Sequence, residues 1–346
     1  MNILYILGNG FDKAQGMHTS YPEFYQYLMN NTDNGSALLQ QLKQDINADK
    51  ELWSDMEEAL GRFTSKVKSA ADFDSLYFEL SDHLQDYLKK EEKKFNPSNE
   101  LKTEFIQDFI SPYRYLDVEN QKIINDLYIN ENKAIKKAGL QMPSHSINVM
   151  TLNYTNTLEK LLLPAETVKN LDSNNVDYDY NIDSSNVLRK IIHVHGILND
   201  SIIIGVDNIG QISNEQFRNN EDIRDLIIKE QSNRAMGYTR HEQCVNLILG
   251  ADIIVLYGVS LGDTDARWWQ LIGSRYRTGK LYLIQHIFKP NDIIITPNRK
   301  QWLGKIDRER RNFILNKMML NQTQFPDETK SRLFFVTNSD MFQLKH

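Results

Sequence analysis

The sequence predicts an α/β fold: a doubly wound, mostly parallel sheet with a large helical insertion after its first strand. Short runs rich in Ile, Leu and Val recur from Asn2 to Thr337, most are followed by turn residues or a helical pattern, and residues 21–144 read as helix almost throughout. A strand covered on both faces shows a continuous apolar run rather than an alternation, as expected in a parallel sheet. Strands alternating with helices imply such a sheet.

The first strand is Asn2 to Leu7. After it, Ser20-Tyr21-Pro22-Glu23 is a capping box with proline in the first turn, so a helix should run toward Met29. Phe73, Leu76, Tyr77, Leu80, Leu84, Tyr87 and Leu88 recur every three or four residues, one apolar stripe on a long helix. Further strands are expected at Ile147–Leu152, Lys190–Val194, Ser201–Ile204, Ile253–Tyr257, Lys280–Ile287 and Arg332–Thr337. Asn170 to Ser185 is rich in Asn, Asp and Ser and reads as a loop or small lid. Residues 1–20 and 145–346 would then form one α/β domain, interrupted by the insertion at 21–144.

The composition narrows the function. With 346 residues, 40% of them hydrophobic and 10% aromatic, the chain can bury a core. A net charge of -6 argues against sequence-independent nucleic-acid binding, which depends on clustered cations. The single cysteine, Cys244, forms no intramolecular disulfide and no cysteine-based zinc site, and points to a reducing compartment. Met1 to Leu7 is too short for a signal segment and no run is long enough to span a membrane, so a soluble cytoplasmic protein without a membrane partner is expected.

Four strand-end turns carry polar residues. Gly8-Asn9-Gly10 leads into a helix beginning near Phe11, so backbone N–H groups there would meet an anion; Lys13 occupies the place of the third glycine of the dinucleotide fingerprint, and no Walker sequence follows. Alternatively the glycines only permit a tight turn, with Asp12 and Gln15 as a capping box. Asn153, Thr155 and Asn156 follow the second run and either orient a sugar or a water, or cap the next helix. His193 and His195 precede Gly196; one is a candidate base, and a buried structural role is the alternative for His193. A metal at this pair is disfavoured, because no further ligands follow nearby. Gly258, Ser260, Asp263 and Asp265 lie before the helix that carries Trp268 and Trp269; an aspartate there either lines the shared crevice or caps the helix.

The order GNGFDKAQG, TLNYTNTLE, HVHG, YGVSLGDTD resembles the sirtuin set of turns around NAD, and LGNGFDKAQGMHTSYPEF with LWSDMEEAL and LNYTNTLE resembles the AbiH family of bacterial abortive-infection proteins against phage. The resemblance implies a Rossmann-like, sirtuin-like sheet that binds NAD through Gly8, Asn9, Gly10, Phe11, Thr155, Gly258, Ser260 and Asp265, with Asn153, His195 and Asp12 as catalytic residues and no metal. Asp12 stands where sirtuins have Ser and Thr155 where they have Asp, and the zinc module of deacylating sirtuins is absent, so cleavage of the nicotinamide–ribose bond by water is the implied reaction. It also implies a phage-derived trigger or a neighbouring defence protein as partner, and a homo-oligomer. Trp53, Asp55 and Glu57 either face the cleft or belong to a helix whose apolar face is Trp53, Met56 and Leu60. Two other functions stay open: a HEPN-type ribonuclease using Arg234 and His241, and a dinucleotide sensor without turnover.

Overall fold

The computed structural model describes residues 1–31, 35–137, 145–169, 177–198, 200–288, 300–320 and 332–343. Its centre is a seven-stranded sheet of β1 (Asn2–Leu7), β2 (His145–Thr151), β3 (Asp177–Asn181), β4 (Asn186–His193), β5 (Ile253–Tyr257), β6 (Tyr282–Phe288) and β7 (Leu333–Ser339), in the order β3-β4-β2-β1-β5-β6-β7. Every neighbouring pair is parallel except β3 with β4. Helices cover both faces, which is why β1 and β5 are apolar along their lengths.

Two expectations about strands are corrected. Ser201–Ile204 is not a strand: apart from an isolated bridge of Ile202 to Gly196, the run is held by Ile203 N–H donating to the His195 carbonyl and Ile204 N–H to Tyr77 Oη. It is apolar because it lies in the helical core with Tyr77, Leu80 and Phe217. Asp177–Asn181, inside the segment read as a loop, is the antiparallel edge strand. Residues 170–176 of that segment lie outside the described residues.

Within 21–137 the described residues are helical and contain no strand. The helix Tyr21–Asn31 is capped as its sequence implies, Ser20 Oγ donating to Glu23 Oε2 at 2.5 Å. The stripe from Phe73 to Leu88 is buried on the helix Ala70–Lys94. That helix, Tyr21–Asn31, Ala37–Ala48 and Met56–Phe63 share a core with residues from 198–228, whereas Asn99–Phe109 and Val118–Lys137 pack on one face of the sheet. The other face is covered by Arg240–Gly250, Ala266–Arg277 and Lys300–Lys317. No helix among the described residues is long and apolar enough to cross a membrane.

Candidate functional site

A cleft of about 640 Å³ opens where β1, β2 and β5 end, roofed by residues of the helical insertion. Its lining includes Gly8, Asn9, Gly10, Asp12, Asn153, Thr155, His195, Gly258, Ser260 and Asp265. Phe11 is the exception and corrects the expectation: its ring is buried, edge-on to Phe105, Tyr257 and Phe342 with centroids 5.7–6.2 Å away. One turn of helix after Gly8 simply directs residue 11 into the sheet's apolar face.

The floor is two interlocked turns. Gly8 N–H donates to the Tyr257 carbonyl at 3.1 Å, Gly10 N–H to the Gly258 carbonyl at 2.9 Å and Phe11 N–H to the Gly8 carbonyl at 2.8 Å. A Cβ on Gly8 would lie 2.6 Å from the Gly258 carbonyl, and one on Gly258, at φ +67, 2.5 Å from Phe11 N. The expectation that the Gly8 and Gly10 amides are open to an anion is therefore corrected, since both are spent joining β1 to β5. The cations lining the cleft are instead Lys13 and Arg310. Asn9 ties down the next loop, its Nδ2 donating to the Thr19 carbonyl at 3.1 Å and its Oδ1 accepting from Thr19 Oγ1 at 2.5 Å.

Asp12 does not cap its helix; the N-cap is Gly8, without a side-chain bond. Instead Asp12 accepts from Asn153 Nδ2 at 3.1 Å and from Thr155 Oγ1 at 2.6 Å. Asn153 Nδ2 also reaches the Gly8 carbonyl at 3.1 Å, so one amide joins both turns. Burial lifts the Asp12 carboxyl to about 7, against the pull of its Thr and Asn donors. Asn156 occupies the cap position of Thr157–Leu162 without a side-chain bond.

The histidines have separate fates. His193 is held between the Asn153 carbonyl and Glu159 Oε1, both at 2.8 Å, and although burial opposes its charge, Glu159 raises its affinity for a proton. His195 Nε2 lies 3.0 Å from Asp265 Oδ1, and Nδ1 has no hydrogen-bond partner among the described residues. Burial and then Lys229 lower its basicity despite Asp265. Asp265 occupies the N-cap position of the helix Ala266–Arg277, but its side chain makes no capping hydrogen bond. Its carboxylate, though buried, stays ionised far below the usual range because Lys229 and His195 both donate to it.

The sequence reading missed Lys229, Gln285, His286 and Arg310. Lys229 is 2% exposed, yet Nζ donates to Glu57 Oε2 at 2.6 Å, Asp265 Oδ1 at 3.0 Å and the Thr264 carbonyl at 3.0 Å. One cation faces two carboxyls here. Asp265 takes the charge, and burial holds a proton on Glu57 up to about 8 even beside Lys229. A charged residue straight after Leu226-Ile227-Ile228 was the signal available. Of the three insertion residues singled out in the sequence, Glu57 and Asp55 line the cleft; Trp53 does not, being wholly buried against Tyr25 and Phe63. Asp55 also caps the helix Met56–Phe63.

Arg234 and His241 lie in different surroundings. Arg234 is exposed and pairs with Glu230 at 3.2 Å. His241, on the next helix, is buried with its ring 4.5 Å from that of Trp268, and burial lowers it to about 3. Among the described residues no group of three or more His, Cys, Asp or Glu is placed to hold a metal ion.

The family model described as Bacteriophage abortive infection AbiH matches residues 4–285. No curated protein matches the chain.

Proposed function

The chain belongs to the AbiH family, which gives it a role in abortive-infection defence against phage, and from that premise we propose that it acts by hydrolysing NAD to nicotinamide and ADP-ribose. The observation that carries this reading is the position of the cleft. Counting only the parallel strands in chain order, the sheet runs 3-2-1-4-5-6, and Gly8 and Gly258 follow the two adjacent strands at which that order reverses. Doubly wound sheets of this order bind dinucleotides in that crevice. The volume is also within the roughly 300–1,000 Å³ of small-molecule sites.

In this reading Lys13 and Arg310 meet the pyrophosphate. His195 accepts a water proton at Nδ1, the water oxygen bonds to the ribose carbon, and the C–N bond electrons leave with nicotinamide, which departs neutral. Because the leaving group needs no proton, the site's task is to orient water and ribose and to face the cationic carbon with negative charge. Asn153 and Asp12 supply those two functions. Purified protein incubated with NAD and the phage-derived trigger should release nicotinamide and ADP-ribose in equal amounts. Growth arrest of infected cells with their NAD intact would overturn the reading.

A further inference from the structure

Two donors converge on one oxygen in the cleft wall: His195 Nε2 and Lys229 Nζ each lie 3.0 Å from Asp265 Oδ1. A carboxylate beside a histidine ordinarily stabilises the imidazolium. Here that oxygen is already matched by an ammonium. Lys229 is held from behind by Glu57 Oε2 and the Thr264 carbonyl and is buried.

We propose that Lys229 is a positioning residue that keeps His195 an uncharged base, with its hydrogen on Nε2 and its lone pair on Nδ1, and that Glu57 ties this setting to the docked helical insertion. The proposal rests on the reading of His195 as the base. The ionised Asp265 can only accept, which places the ring hydrogen on Nε2 and leaves the unpartnered Nδ1 as the proton acceptor. The groups facing the ring are Asp265 after β5, Lys229 on the helix Lys229–Ala235, and Arg240 and His241 on the helix Arg240–Gly250; Glu57 acts through Lys229. Arg240 is engaged by Asp200 at 3.1 Å, and His241 is uncharged at neutral pH. Asp265 favours the imidazolium, while burial, Lys229 and, to a lesser degree, Arg240 oppose it.

The test is the titration of His195 followed by ring ¹⁵N–¹H NMR of the whole chain, with His195→Gln to assign the signal. In the wild type the ring should be the neutral Nε2–H form at pH 7. Lys229→Met should raise its midpoint by about one unit or more, a tenfold change in the protonation equilibrium. Removing the cation alone leaves two buried carboxyls facing each other, which threatens folding; the double variant Glu57→Gln/Lys229→Met relieves that and should show the same rise. Lys229→Arg should keep the wild-type midpoint. A His195 charged at pH 7 in the wild type, or titrating as wild type in folded Lys229→Met or the double variant, would overturn the proposal. The expected shifts without any NAD cleavage would uphold it and count against the hydrolase reading instead.

Discussion

Asp12→Asn should stabilise the protein, and more so as the pH rises. A carboxyl whose affinity for protons is raised in the folded state favours folding at low pH and loses that advantage as the pH climbs from its unfolded value toward its folded one. For Asp12 the window runs from 3.8 to about 7. At 1.36 kcal/mol per unit, ionising this buried group costs about 4 kcal/mol once the pH is above 7. Asparagine keeps the oxygen that accepts from Asn153 and carries no charge. Denaturant unfolding should therefore give the variant an advantage of under about 1 kcal/mol at pH 4, growing to about 4 kcal/mol at pH 8. A difference that does not change between those two pH values would refute the reasoning.

Three further outcomes are expected. Gly258→Ala should lower stability by about 2 kcal/mol or more, since it combines a left-handed φ with a Cβ 2.5 Å from Phe11 N, and thermal melting checks it. Trp53→Ala should cost about 3–5 kcal/mol in chemical unfolding, the range for emptying a fully buried aromatic site. His195→Ala and Asn153→Ala, once melting shows them folded, should each reduce NAD cleavage about 10²-fold or more, whereas exposed Arg234→Ala should leave it unchanged, read by nicotinamide release.

The central strands were legible because burial on both faces leaves a continuous apolar run that no exposed segment shares. The same rule misread Ser201–Ile204, because the run records burial and not the partner; here the partners are helices. Asp177–Asn181 escaped for the opposite reason. In this edge strand Asp177, Asp179 and Asn181 are exposed and only the half-buried Tyr178 and Tyr180 face the core, an alternation too short to stand out in a polar segment. At the site, strand-end polar residues were visible as turns, and the cleft gathers them. What could not be read was competition for hydrogen bonds: nothing in GNG says that its amides are taken by a carbonyl about 250 positions away. Nor does the sequence announce that Lys229 and Glu57 meet, since their closeness exists only once the insertion has folded back onto the sheet.

The central place of β1 also bears on the order of synthesis. β1 pairs on one side with residues 146–151 and on the other with 253–257, so one of its edges waits for β2 and the other, far longer, for β5. The Gly8 and Gly10 amides meet their carbonyl partners only when Tyr257 and Gly258 have emerged, and His195 meets Asp265 later still. At about 5–20 residues per second that interval is on the order of tens of seconds. Throughout it the nascent chain carries the Gly8–Gly10 turn without the end of β5 that anchors it.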